Sequence, residues 1–374
     1  MNGNIRLGTL FGIPFFVNPS WFLVLGLVTL SYGDGLAAAF PSLLPGVPLV
    51  LGLVTGLLVF ASVLAHELGH SFVAMSQGIS VRSISLFLFG GVASLEKESE
   101  TPADAFWVAI AGPAVSFLLF GVLTLFNGLV ALPAPWAAIV AVLATVNLTL
   151  GAFNLIPGLP LDGGNILKAI VWQVTGNPYQ GVKFASVVGQ AFGYLAIASG
   201  IVPLVLFGSF DNLWNALIGW FLLQNARQSA QFARVQSKLV GLVAADAVTA
   251  NSPIISAQSS LREFVDFRTL EHSNWQRFLV TDIDGQLVGS IDVEALKQVN
   301  HELWSSKTVG ELMQSIEQTT VIESSQPLMQ AIEQLEKYQL PALNVIGDNG
   351  LLVGLLEKTA IINLVQQRSS TLIA

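Results

Sequence analysis

Apolar positions fill the first two thirds of the chain in long runs. They show neither the two-residue alternation of a half-buried strand nor the narrow stripe of a surface helix. A helix crossing a hydrocarbon core of ~30 Å needs about 20 mostly apolar residues. Runs of this kind predict membrane spans near residues 16–31, 48–76, 104–131, 136–157, 184–208 and 211–230, the last two separated only by "GSFD". Glycines and prolines inside these runs are compatible with membrane helices, whose neighbours satisfy the freed backbone groups. Past residue 240 the long runs stop. The pattern therefore predicts an α-helical polytopic membrane domain of six helices over 1–240 and a soluble α/β domain over 241–374.

Two shorter patterns refine this. "SISLFLFGGVASLE", 83–96, is apolar but is split by Gly90-Gly91, which disfavours a helix. It predicts a small β segment at the membrane, dipping into one leaflet between the second and third spans. In the soluble domain, "VTDIDGQLVGSI" at 280–291 matches "VIGDNGLLVGLL" at 345–356, Gly285 over Gly350 and Gly289 over Gly354, an offset of 65. The two copies, about 241–300 and 305–369, each predict strand, helix, strand, Asp/Asn-Gly hairpin, strand, helix.

Charge orients the bundle. Of the 16 Lys and Arg, eight lie before residue 241: Arg6, Arg82, Lys97, Lys168, Lys183, Arg227, Arg234 and Lys238. The alternate loops 32–47, 128–136 and 208–211 hold none, so all eight fall on one side. The positive-inside rule places that side, both termini and the soluble tail in the cytosol, and the protein in the cell membrane. Eight of the 24 acids also precede residue 241, so the membrane domain is neutral and the net charge of -8 belongs to the tail. An acidic soluble part argues against nucleic acid. With no Cys, disulfides, thiolate metal sites and thiol nucleophiles are excluded.

The second span contains "LAHELGHSFVA". His66 and His70, four apart, project from one helix face and can hold one ion, and Glu67 beside them can reach a water there, the H-E-x-x-H arrangement of zinc hydrolases. Ionisable groups inside a span are costly and usually functional. Measured at ~1.5 Å per residue, this pair sits on the order of 10 Å below the cytosolic surface, within reach of a wet cleft. A catalytic zinc wants three protein ligands and one open position. The only other histidines, His272 and His301, are in the tail, so a carboxylate must serve: Asp34, Glu96, Glu98, Glu100, Asp104, Asp162 or Asp211. The fourth span ends in "NLIPGLPLDGGN" on the same side as His66, which favours Asp162. Two roles stay open for it, third ligand or N-cap of the helix "NILKAIVWQV".

"HELGH" in the second span with "NLIPGLPLDGG" after the fourth resembles the site-2 protease family of intramembrane metalloproteases. The pattern matches at His66, Glu67, His70, Asn154, Pro157, Pro160, Leu161, Asp162 and Gly163. "FGIPFFVNPSWF" and "AGPAVSF" are also similar to family segments. The resemblance implies one Zn2+ per chain held by His66, His70 and Asp162, with Glu67 as general base. It implies Asn154 against the substrate backbone or the oxyanion. It also implies a single-span membrane protein as substrate, such as a membrane-tethered transcription regulator or an anti-sigma factor, cut in or near the bilayer.

The tail resembles a pair of CBS domains, which often bind adenine nucleotides. The positions that usually hold the ribose are Asp292, Ala295, Glu357 and Ala360 here. The usual groups are absent, so packing, regulation of access to the protease, or homodimerisation is expected in preference to nucleotide binding. Two rival classes are a non-catalytic relative that binds without cutting and a metal transporter. The first is disfavoured by the full set of His66, Glu67, His70 and Asp162. The second is disfavoured by the lack of polar residues along the other spans.

Overall fold

The computed structural model describes residues 4–88, 90–249, 251–270, 275–317 and 320–371; His272 and Phe89 fall outside these. The chain divides into two compact units, 1–233 and 234–374.

The first unit is a helical bundle with one sheet. Its helices are α1 (Ser20–Ala39), α2 (Val47–Ser76), α3 (Pro102–Leu129), α4 (Ala134–Asn154), α5 (Asp162–Thr175), α6 (Pro178–Phe207) and α7 (Leu213–Leu239). Local chemistry sets their starts. Thr101 accepts from the Asp104 N–H ahead of Pro102, and Asn177 accepts from Tyr179 and Gln180 ahead of Pro178, each a proline in the first turn behind a capping side chain. Among the described residues five helices are long and apolar enough to span a membrane: α1, α2, α3, α4 and α6. The chain is a multi-pass membrane protein. The expected sixth span is α7, but its mainly apolar part stops at Leu223, before Gln224, Asn225 and Arg227. About 11 residues reach only ~16 Å, so α7 alone falls short of the core thickness.

The first expected span, 16–31, is displaced. Residues 13–17 are a strand, and the helix runs from Ser20 to Ala39. The strands β1 (Ile5–Leu10), β2 (Ile13–Val17), β3 (Val81–Phe87) and β4 (Gly90–Leu95) form one sheet in that order. The expected β segment is thus half of a larger sheet. β2 pairs parallel with β3, Phe16 opposite Ser85, and joins the two halves across 69 positions of chain. Asn18 donates its N–H to Leu86 O at 2.8 Å and its side chain accepts from Ser20 N–H, turning the chain from β2 into α1.

The second unit contains two α/β repeats, as the CBS resemblance implies. The first has β5 (Ile254–Ser256), α8 (Leu261–Leu270), β6 (Arg277–Thr281) and β7 (Leu287–Asp292); α9 (Val309–Leu312) and β8 (Gln314–Ser315) follow. The second has β9 (Val321–Glu323), α10 (Leu328–Lys337), β10 (Ala342–Ile346), β11 (Leu352–Glu357) and α11 (Lys358–Thr371). The repeat is exact in register: Val280 faces Gly289 as Val345 faces Gly354, and each ladder slips at the next position. Gly285 and Gly350 take φ of 78° and 80° in the two hairpins, a left-handed conformation that favours glycine. The copies differ where the first was expected to end in a helix. Residues 293–298 and 301–303 are 3-10 turns, because Asn300 breaks the run by capping the second turn at Glu302.

Candidate metal centre

Three elements bring the candidate ligands together. His66 and His70 stand on the inner face of α2, their rings 5.0 Å apart and close to perpendicular. After α4 ends, the Leu155–Leu161 turn reverses the chain and delivers Asp162 as the first residue of α5. The turn is tight. A Cβ on Gly163 would meet Leu155 O at 2.3 Å, and one on Gly164 would meet Leu159 N at 2.2 Å. From α6, Ala185 O accepts the Leu159 N–H at 3.2 Å, and Gly189 has no side chain where Leu159 O passes. Asp162 is not the N-cap. Leu161 occupies that place without a side-chain bond, and the Asp162 carboxylate points at the imidazoles instead.

Asp162 Oδ2 lies 3.0 Å from His66 Nε2 and 3.3 Å from His70 Nε2, and the two Nε2 atoms are 3.3 Å apart. Ligand atoms about 2.0–2.1 Å from a tetrahedral zinc are about 3.3 Å from one another. The outer nitrogens support the same reading. His70 Nδ1 lies 2.7 Å from Val108 O, a group that only accepts, so in a neutral ring the Nε2 of His70 carries a lone pair. His66 Nδ1 lies 2.9 Å from Ser116 Oγ. With both rings neutral and hydrogen-bonded through Nδ1, two lone pairs and a carboxylate converge on one point, a donor set that a zinc ion fits. Among the described residues this is the one cluster of three or more such groups.

The side chains open toward a cavity of about 540 Å³ lined by His66, Glu67, His70, Asn154 and Asp162. Exposure rises from 3% for His66 to 17% for Asp162, so the open side of the centre faces the cavity. Strand β4, at one edge of the sheet, forms the opposite wall. It crosses directly over Glu67, and a Cβ on Gly91 would sit 2.5 Å from Glu67 Cγ. Lys168 on α5 reaches Glu98, just past β4, at 2.7 Å and ties the two walls together. In the second unit His301 is stacked on Trp304, with ring centroids 4.0 Å apart.

The structure adds residues to those the sequence singled out. Val108, Gly112 and Ser116 on α3 touch the imidazoles, and Gly91 clears the space for Glu67. "AGPAVSF" contains two of them, but nothing in that string gives them a role until α3 packs on α2. Lys168 was visible only as a positive charge.

An H-E-x-x-H helix with a carboxylate set against both of its imidazoles, in a bundle of apolar helices, has the make-up of a zinc-dependent membrane peptidase. The profile of peptidase family M50 matches residues 54–133 and 120–197. The chain is 54% identical over 366 residues to sll0528 of Synechocystis sp., covering 98% of this chain and 96% of that one. It is 31% identical to the zinc metalloprotease MJ0392 of Methanocaldococcus jannaschii, covering 78% and 79%. This chain belongs to peptidase family M50. Among solved structures, the site-2 protease from Methanocaldococcus jannaschii is similar at 30% identity with a TM-score of 0.44, over 61% of this chain and 95% of that one. CBSX2 in complex with AMP is similar at 22% identity with a TM-score of 0.28, over 34% of this chain and 99% of that one.

Proposed function

We propose that this peptidase hydrolyses a peptide bond in the transmembrane segment of a single-span, membrane-tethered protein, with His66, His70 and Asp162 as zinc ligands and Glu67 and Asn154 as catalytic residues. The observation that carries this reading is the placement of edge strand β4 over Glu67, on the wall of the cavity facing the ligands. A helical substrate hides its carbonyls in its own hydrogen bonds and must unwind before it is cut. An edge strand offers unpaired N–H and C=O groups to such an extended segment. β4 would therefore hold the unwound stretch beside Glu67, with its backbone groups satisfied at membrane depth.

Zinc bound at this centre supplies Lewis-acid activation of water and charge stabilisation at the attacked carbonyl. Glu67, buried beneath β4, takes the proton of the attacking water and delivers it to the leaving nitrogen. Asn154, at the end of α4 and on the cavity wall, donates its amide N–H to the substrate carbonyl oxygen as charge develops there. The test is cleavage of a single-span reporter by purified enzyme in liposomes. Wild type cuts within the span and Glu67→Gln does not; a reporter cut only in its soluble parts would defeat the reading.

The division of labour follows the sequence: residues 1–240 as the protease domain and 241–374 as a CBS pair that regulates access or assembly, including a homodimer. Both termini are assigned to the cytosolic side of the cell membrane. Nucleotide is not assigned to the pair. Asp292, at a ribose position, is held by Arg277 through two bonds of 2.7 and 3.1 Å, and that bond raises the guanidinium further above its ordinary range.

A further inference from the structure

Helix α3 donates no ligand, yet it touches both imidazoles. Val108, Gly112 and Ser116 are spaced by four, one stripe of a helix, and this stripe faces α2. Val108 O meets His70 Nδ1 at 2.7 Å, and Ser116 Oγ meets His66 Nδ1 at 2.9 Å. Between them Gly112 leaves a gap. A Cβ there would lie 2.1 Å from His70 Nε2 and 2.7 Å from His66 Nε2, on the side where the donor atoms converge. The helices are drawn this close because α2 also has a glycine at the crossing: a Cβ on Gly69 would meet Ala111 O at 2.9 Å. Ser116 is fully buried.

We infer that Ser116 and Gly112 are positioning residues for the metal centre. This rests on the reading of His66, His70 and Asp162 as zinc donors. Ser116 accepts a hydrogen bond from His66 Nδ1–H. In the tautomer with the hydrogen on Nδ1, this bond holds the ring so that the Nε2 lone pair faces His70 Nε2 and Asp162. Val108 O does the same for His70 with a backbone group that no substitution removes. Gly112 keeps the space between the two rings free, so the stripe combines two acceptors with one gap. Partners of this kind orient a ligating imidazole, and their loss costs about 10–100-fold in metal affinity.

The test is zinc affinity of the full chain in detergent, read by chelator competition, with the absorption of the cobalt-loaded protein as a second readout. Thr and Val have the same shape and differ in the hydroxyl alone, so Ser116→Thr and Ser116→Val share any packing cost. Ser116→Thr is expected to bind zinc more tightly than Ser116→Val by about 10–100-fold, with a changed cobalt spectrum only in the latter. Gly112→Ala is expected to fold, by circular dichroism, and to hold no stoichiometric zinc. Should neither larger side chain fold at position 116, Ser116→Ala against wild type gives the same comparison. Equal affinities for the Thr and Val variants, or for Ser116→Ala and wild type, would overturn the role of Ser116; full zinc in folded Gly112→Ala would overturn that of Gly112. Asp162→Ala is run alongside. If it too keeps wild-type zinc, the donor set itself is wrong and the inference falls with it.

Discussion

Asp162 Oδ2 lies 3.0 Å from His66 Nε2, although 96 positions of chain separate the two residues. The contact depends on the Leu155–Leu161 turn reversing the chain so that α5 starts beside α2. Asp162→Ala removes one of three donors and should abolish stoichiometric zinc, measured by elemental analysis of purified protein. Asp162→Asn keeps the shape but loses the charge, and should weaken zinc strongly. Normal zinc content and activity in Asp162→Asn would leave the carboxylate without a metal role.

Glu67 neighbours the cluster of His66, His70 and Asp162 and is proposed as the base, not as a ligand. Glu67→Gln should therefore keep zinc and lose cleavage by about 10²–10⁴-fold, the range of a general base. Loss of zinc in this variant would assign Glu67 to the metal instead of the proton.

Gly91 gives Glu67 its room. In Gly91→Ala the new methyl would meet Glu67 Cγ at 2.5 Å, so either β4 or the carboxylate must shift. A displacement near 1 Å at a reacting group costs about 10²-fold in rate. Zinc content should stay unchanged while turnover of the single-span reporter falls. Wild-type turnover would show that β4 and Glu67 are not held against each other.

Orientation is tested with reporters fused at residue 40 and after residue 374, which should report opposite sides of the membrane, the second in the cytosol. A cytosolic residue 40 would break the placement of His66 and Asp162 near one surface.

All three proposed donors, His66, His70 and Asp162, precede residue 163. A chain truncated after about residue 240 should bind zinc as the full chain does, with altered rate or substrate choice. Calorimetry on residues 241–374 should show no micromolar ATP or AMP binding, because Arg277 already engages Asp292. Micromolar binding would return the pair to the nucleotide-sensing class.

The sequence by itself determined the bundle, the His66–His70 pair on α2 and the doubled α/β domain. Each is a local or periodic signal: apolar length against bilayer thickness, a four-residue spacing on one helix face, and a glycine-marked hairpin recurring after 65 residues. It also offered Asp162, while leaving ligand and cap both open, because a carboxylate at a helix start serves either purpose. The tertiary structure gives the cap position to Leu161 and sets the Asp162 carboxylate against two imidazoles, the geometry on which the proposed ligand role rests. Three further features needed the folded chain. β1 and β2 were missed because β2 pairs with β3, a contact between segments far apart in sequence. α7 read as a span from its apolar start, but its length in the core depends on where the helix turns polar. Gly91 was legible only as half of a helix-breaking Gly-Gly, and Gly112 and Ser116 only as members of a family-like string. A glycine's missing Cβ matters only where another group occupies that space, and a buried hydroxyl matters only where a ring nitrogen meets it, so their roles exist in the packing of α3 and β4 on α2 and nowhere in the order of residues.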